Sequence, residues 1–155
     1  MEFIVTKVDE TYKIGEIIGS LLNSGDIICL IGELGTGKTH LAKGIAKGLG
    51  IDDNITSPTF TIVNEYTGRL ILYHFDVYRV NDPDEIAAIG FDEYIFGDGV
   101  SVIEWANYIE ELIPHNNLTI TIEKLTEYGD DFRKINIKYT DKRYDYVKEI
   151  KLWKY

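Results

Sequence analysis

The sequence has little of what marks secreted, membrane or multi-domain proteins. Its single cysteine, Cys29, has no partner for an internal disulfide, so a reducing compartment is expected. No apolar stretch approaches the about 20 residues of a transmembrane helix. The first ten residues show no basic segment followed by an apolar one, as a secretory signal would. With three prolines in 155 residues and no linker or repeat, we expect one cytoplasmic domain spanning residues 1–155, without membrane contact.

Positive charge is also scarce. The chain carries 16 basic and 26 acidic residues, a formal net charge of −10. Such a chain is poorly suited to direct binding of duplex nucleic acid, because phosphates would be repelled. The charge is uneven: residues 1–129 hold 8 basic and 21 acidic residues, whereas residues 130–155 hold 8 and 5. We interpret the basic tail as a solvated helix and strand face, with contact to an acidic partner or an RNA as the alternative.

Hydrophobic periodicity predicts alternating strands and helices. Strands are expected at 2–8, 26–31, 59–66, 70–75, 100–104, 118–123 and 132–139, and helices at 9–22, 38–49, 82–90, 105–113 and from 142 onward. The continuous apolar run before position 32 is typical of a strand buried on both faces. Residues 59–75 read as a hairpin, and Asp82-Pro83 as a helix start. The order predicts an α/β three-layer sandwich with a mixed, mostly parallel central sheet.

Residues 32–39, Gly-Glu-Leu-Gly-Thr-Gly-Lys-Thr, match the pattern G-x-x-x-x-G-K-[ST] between a predicted strand and a predicted helix. Glycines let the loop turn its backbone N–H groups toward phosphate oxygens, and the following helix directs its positive end at the same anion. Lys38 would neutralise the β- and γ-phosphates, and the Thr39 hydroxyl would bind Mg²⁺. The guanine-reading N-K-x-D motif is absent, which favours ATP. The residues assigned to the nucleotide in this loop are Glu33, Leu34, Gly35, Thr36, Gly37, Lys38 and Thr39.

Two acids stand where a P-loop enzyme needs a carboxylate for the metal or its waters, at the ends of predicted strands. Glu104 follows Val100–Ile103, and Asp76 follows Ile71–Phe75. We predict catalytic roles for Lys38, Asp76 and Glu104, and metal contacts for Thr39 and Glu104.

Hydroxyl groups follow the P-loop helix at Ser57-Pro58-Thr59, where they could sense the γ-phosphate as a switch segment does. Two nearby side chains are given structural interpretations. His74 alternates along a strand as a satisfied histidine would, and Trp105 is assigned to the core. Arg79 is the only arginine near these motifs.

Together, these segments resemble the TsaE (YjeE) family of ATPases. The resemblance runs from about Thr11 to Ile113. It depends on the P-loop and on four further segments in order, Ser-Pro-Thr-Phe-Thr (57–61), Val-Asn-Glu-Tyr (63–66), His-Phe-Asp-Val-Tyr-Arg (74–79) and Ile-Glu-Trp-Ala (103–106). One departure is His40, where another Thr or Ser is common.

The resemblance implies an ATPase component of bacterial tRNA threonylcarbamoyladenosine synthesis that supports turnover of the transferase formed by TsaD and TsaB. It places Thr11 near the nucleotide, gives Thr39 and Glu104 the magnesium positions, and makes residues 57–59 switch-like. Residues 76–111 hold ten acids and one base, which fits a protein partner or plain solvent better than tRNA. Contact with tRNA is therefore expected only through the complex, and the chain alone is expected to be monomeric.

Three alternatives remain. A small metabolite kinase would need arginines around two phosphoryl groups, and residues 1–129 contain only Arg69 and Arg79. A non-catalytic ATP-dependent switch or adaptor predicts that partner control survives loss of Glu104 as long as ATP binds. A scaffolding protein would not need an intact P-loop. Hydrolysis is expected to be slow in the isolated chain, because no general base or arginine finger is evident.

Overall fold

The computed structural model describes residues 1–58, 62–80 and 82–150. Within these ranges the strands are β1 (Glu2–Val5), β2 (Ile27–Ile31), β3 (Val63–Thr67), β4 (Ile71–Asp76), β5 (Val100–Glu104), β6 (Leu118–Lys124) and β7 (Arg133–Tyr139). The α-helices are α1 (Val8–Leu21), α2 (Lys38–Gly48), α3 (Pro83–Ala88) and α4 (Phe91–Ile95). Two 3₁₀ segments cover Ala106–Leu112 and Lys142–Glu149. No helix in the described ranges is long and apolar enough to cross a bilayer.

The described strands form one mixed sheet in the order β1-β7-β6-β2-β5-β4-β3. Its centre is parallel, because β2 pairs in parallel with both β5 and β6, and β5 pairs in parallel with β4. The two ends are antiparallel: β3 pairs with β4 as the expected hairpin, and β7 lies between β6 and β1. Only β3 and β7 run against the other strands of this sheet. The mixed, mostly parallel sheet is confirmed.

Alternation along the central strands builds the two apolar layers. On β2, Ile28 and Leu30 face the layer that contains α1 and α2, whereas Ile27 and Cys29 face the layer that contains α3, α4 and Ala106–Leu112. Both faces of β2 are therefore buried, as the continuous apolar run predicts. The three-layer arrangement is confirmed, and it leaves the carboxyl ends of β2, β4 and β5 side by side at one edge.

Helices α1 and α2 approach each other through glycines. A Cβ placed on Gly44 would lie 2.1 Å from the carbonyl oxygen of Tyr12, and one on Gly19 would lie 2.1 Å from that of Ile45. Gly48 is equally close to the carbonyl oxygen of Glu16. The two backbones are thus nearly in contact, and no larger residue fits between them.

Gly44→Ala is expected to lower the melting temperature by roughly 4–8 °C, corresponding to about 2 kcal/mol of overpacking. Alanine favours the helix more than glycine does, so a loss would report the clash with Tyr12 and not helix propensity. Thermal unfolding followed by circular dichroism measures it. Lys47→Ala, on an exposed position of the same helix, is the matched control, and equal melting temperatures for the two variants would contradict the close packing.

Two predicted helices have a different form. Residues Ala106–Leu112 are 3₁₀, with a non-helical backbone at Ile109, and the tail from Lys142 to Glu149 is also 3₁₀. The predicted continuation of the tail helix to Trp153 falls outside the described residues. The helix start at Asp82 is confirmed, because the Asp82 side chain accepts a hydrogen bond from the Asp84 N–H and Pro83 is the first helical residue.

Candidate nucleotide-binding site

The glycine-rich loop lies at the carboxyl end of β2 and leads directly into α2, which begins at Lys38. Its turn requires left-handed backbone at two glycines, with φ of 79° at Gly35 and 111° at Gly37. The first N–H groups of α2 have no partners within the helix and face outward at its positive end. The loop thereby provides the anion-binding arrangement that the motif predicts.

Lys38 is buried and folded back onto its own loop. Its Nζ donates hydrogen bonds to the carbonyl oxygens of Gly32 (2.6 Å) and Glu33 (2.9 Å) and lies 3.9 Å from the centroid of the Trp105 ring. Burial lowers the pKa of the Lys38 ammonium, and the carboxylates of Glu104 and Asp76 oppose that shift. An ammonium group with this environment would gain from an anionic ligand.

Glu104 contacts the first turn of α2. The Thr39 hydroxyl donates to Glu104 Oε1 at 3.0 Å and lies 3.2 Å from the Ser57 hydroxyl. This contact arises because β5 is adjacent to β2, so the last residue of β5 ends beside the P-loop. Hydroxyl and carboxylate oxygens are ligands that Mg²⁺ prefers, usually together with substrate phosphates. The residues present therefore fit a magnesium ion.

Asp76 is opposite Glu104 in the parallel β4–β5 register. Its Oδ1 accepts a hydrogen bond from the Tyr78 backbone N–H at 3.0 Å. Burial raises the pKa of the Asp76 carboxyl, and Glu104 adds to the rise, while the bond from Tyr78 and the nearby side chains of His74 and Lys38 oppose it. The fold therefore holds a second, partly buried carboxylate at this edge.

Asp76→Asn is expected to raise the melting temperature of the protein by about 1–3 °C at neutral pH. The folded protein disfavours the ionised Asp76 carboxylate. The free energy of unfolding of the wild type therefore falls as the pH rises from the ordinary pKa of Asp76 in the unfolded chain through its raised pKa in the folded protein. At pH values below both pKa values the wild type and the variant should melt together. Melts at pH 7.5 and at low pH test this, with the exposed Asp53→Asn as control. A large loss of stability at pH 7.5 would instead mark Asp76 as structural.

His74 is fully buried, and its Nε2 lies 2.6 Å from Glu104 Oε2. Its Nδ1 has no hydrogen-bond partner among the described residues. His74 was interpreted as a structural histidine with its hydrogen bonds satisfied. Among the described residues only its Nε2 has a partner, and that partner is Glu104, a residue of the candidate site.

The predicted site residues converge on a cavity of about 310 Å³. Those that line it are Thr11, Leu34, Gly35, Thr36, Gly37, Lys38, Thr39, Asp76 and Glu104. Glu33 differs: its side chain is exposed and outside the cavity lining, and it takes part through its carbonyl, which accepts from Lys38 and Thr36. In the predicted switch segment, Ser57 contacts Thr39, whereas Thr59 falls outside the described residues.

Sequence reasoning missed that two further residues line this cavity. Trp105, assigned to the core, does pack against the apolar layer of α3 and α4, but it is only partly buried and also faces Lys38, with left-handed backbone at φ 63°. Arg133 lies in the tail interpreted as a solvated surface, yet its Nε donates to the Thr36 carbonyl at 3.1 Å. Arg133, and not Arg79, is thus an arginine lining the described cavity. The sequence feature that could have indicated a role for Arg133 was the excess of basic residues after residue 129.

The chain is similar to proteins of one family. A family model described as "Threonylcarbamoyl adenosine biosynthesis protein TsaE" matches residues 5–135. The tRNA threonylcarbamoyladenosine biosynthesis protein TsaE of Bacillus subtilis is 44% identical over 142 residues, which cover 91% of this chain and 87% of that protein. Its counterpart in Treponema pallidum is 41% identical over 127 residues, with coverages of 82% and 94%. The crystal structure of YdiB from Bacillus subtilis matches with a TM-score of 0.79 and 39% identity, over 96% of this chain and 91% of the other.

Proposed function

Because the chain belongs to the TsaE family of threonylcarbamoyl adenosine biosynthesis proteins, we propose that it binds and hydrolyses ATP in tRNA threonylcarbamoyladenosine synthesis. The observation that carries the proposal is the P-loop at the carboxyl end of β2, with Thr39 Oγ1 hydrogen-bonded to Glu104 Oε1 at 3.0 Å. A phosphate-binding loop and a strand-end carboxylate are the two parts that a P-loop NTPase requires. The proposal makes the protein a Mg²⁺-dependent ATPase of the cytoplasm.

The proposal gives each side chain that lines the cavity and was predicted from the sequence a role in binding the nucleotide or the metal. Lys38 exchanges its two loop carbonyls for the β- and γ-phosphate oxygens, while the N–H groups of the loop and of the first turn of α2 hold the remaining phosphate oxygens. Thr11, from α1, closes one side of the cavity. Thr39 and Glu104 would hold Mg²⁺, and Asp76 would bind its waters. Bound Mg²⁺ supplies neutralisation of the charge that develops on the phosphate oxygens during transfer.

The segment that begins at Ser57 would couple the nucleotide to a partner. Ser57 contacts Thr39 directly, so a change of ligand at Thr39 would alter the contacts of Ser57, the first residue of the predicted switch segment. The partners implied by the family are TsaD and TsaB, whose transferase reaction this ATPase would support. Contact with tRNA would be made through that complex.

The same Thr39–Ser57 contact also serves a second candidate function, a non-catalytic ATP switch. Such a switch needs only ATP binding and a response in residues 57–59, whereas the ATPase needs turnover. Loss of Glu104 would abolish the function of an ATPase, whereas a switch would still control its partner as long as ATP binds.

The deciding experiment measures ATP hydrolysis by the purified chain, alone and with the TsaB–TsaD pair, with Mg²⁺ and with EDTA. The proposal predicts slow hydrolysis alone, an increase with the pair, and loss of both in EDTA. ATP binding without any turnover in the complex would favour the switch, and absence of ATP binding would refute both.

A further inference from the structure

We propose that His74 is a positioning residue, which holds the Glu104 carboxylate in the orientation needed for the metal. The inference rests on the proposed function, since it assigns a role within the same site. It is based on the fact that the two carboxylate oxygens of Glu104 have different partners. Oε2 lies 2.6 Å from His74 Nε2, and Oε1 accepts a hydrogen bond from the Thr39 hydroxyl.

The sheet register brings these groups together. On the parallel strands β4 and β5, His74 is opposite Val102 and Asp76 is opposite Glu104. Residues at i and i+2 share a face of a strand, so His74 and Asp76 both lie on the face of β4 that carries Leu72, the face covered by α1 and α2. The His74 side chain therefore reaches diagonally toward Glu104, beneath the start of α2.

The hydrogen on His74 can be located from its surroundings. A carboxylate oxygen only accepts hydrogen bonds, so the bond to Glu104 Oε2 requires the hydrogen on Nε2. A hydrogen on Nδ1 would be a buried donor without an acceptor, because Nδ1 has no partner among the described residues. Glu104 is thus the one hydrogen-bond partner that the described residues give this ring, and packing alone would be served by an apolar side chain.

The bond restricts what Glu104 can do. Both side chains are at most 3% exposed, so water does not readily replace the histidine as donor. With Oε2 occupied, Oε1 remains as the oxygen directed at Thr39, where the metal would be held. Groups that hold metal-binding side chains in place typically contribute 10–100-fold to metal affinity.

Two amide variants separate this role from simple packing. In His74→Gln the side-chain nitrogen can take the place of Nε2 and keep a donor near Glu104. In His74→Asn the amide nitrogen takes the place of Nδ1, so it stays polar but falls short of the carboxylate. Phe75→Leu, at a buried position on the opposite face of β4, controls for lost packing in the same strand.

The experiment titrates MgCl₂ and measures the affinity for a non-hydrolysable ATP analogue by calorimetry, together with melting temperatures. His74→Asn should raise the Mg²⁺ concentration at half-effect about 10-fold or more, and His74→Gln less than about 3-fold. Without Mg²⁺, both variants should bind the analogue as the wild type does, and Phe75→Leu should keep the wild-type Mg²⁺ midpoint.

Equal midpoints for His74→Asn and wild type, or equal shifts in the Asn and Gln variants, would overturn the inference. If the Asn variant does not fold, the Gln variant still decides, because a shift of 10-fold or more in it contradicts the role of the Nε2 donor. A wild-type protein whose nucleotide binding ignores Mg²⁺ would refute the metal part of the proposed function instead.

Discussion

Replacing Lys38 with alanine is expected to weaken ATP binding by about 10–100-fold and to abolish measurable hydrolysis. Hydrogen bonds to charged groups contribute about 1.5–3 kcal/mol each. Lys38 would make such bonds to two phosphates but would give up its bonds to the carbonyl oxygens of Gly32 and Glu33, so the net loss is smaller than the sum of the new bonds. Its ammonium is already buried at the loop, 3.9 Å from the Trp105 ring centroid. Calorimetric titration with ATP and a phosphate-release assay measure the two effects.

The control for Lys38→Ala is Lys47→Ala, which removes a lysine from the last turn of the same helix at an exposed position. It should bind and hydrolyse ATP as the wild type does. Melting temperatures without nucleotide show whether Lys38→Ala remains folded. A folded Lys38→Ala protein with wild-type turnover would refute the assignment of the site.

Glu104→Gln is expected to reduce hydrolysis by at least about 100-fold, roughly 2.7 kcal/mol of lost transition-state stabilisation, while ATP binding falls much less. The carboxylate would contribute charge to the metal, whereas the loop and Lys38 would hold the phosphates. Glutamine is chosen because it keeps the shape and polar contacts of the side chain. Alanine would leave Nε2 of the buried His74 without its acceptor, at a cost of about 1–3 kcal/mol, and would mix stability with catalysis.

The measurement for Glu104→Gln is steady-state hydrolysis with and without the TsaB–TsaD pair, beside binding of ATP to the same preparation. Loss of stimulated turnover with ATP still bound supports a partner-activated ATPase. If the variant hydrolyses slowly but still supports the transferase over many cycles, the non-catalytic switch explains the protein better. Glu110→Gln, an exposed acid in the following 3₁₀ segment, should behave as the wild type.

The central parts of this fold and site could be predicted because their causes are local. Strand β2 is recognisable as a continuous apolar run because both of its faces are buried. The glycines of the P-loop and Lys38 lie within eight consecutive residues. Asp82 and Pro83 are adjacent and together specify the start of a helix. Glu104 and Asp76 could be predicted from strand ends, since parallel strands bring their carboxyl ends to one edge of the sheet.

The remaining parts depend on contacts between distant segments. Arg133 reaches the P-loop because β7 returns beside β6, a pairing that no local pattern specifies. The His74–Glu104 bond needs the register of β4 against β5, which the sequence does not state. Trp105 was assigned to the core, and it does pack against one apolar layer, but its additional contact with Lys38 depends on how the end of β5 meets the P-loop, which the sequence does not state.

The glycine contacts between α1 and α2 also determine where this molecule can move. Helices whose backbones nearly touch cannot slide or rotate against each other without a collision of main-chain atoms, so the pair moves as one rigid body. Thr11 on α1 and the P-loop at the start of α2 are carried by that body and keep a fixed separation. A rearrangement on ligand binding is then expected on the other side of the cavity, at the turn around Trp105. Helices α1 and α2 would then form the fixed side of the cavity, and residues on the opposite side would move relative to them.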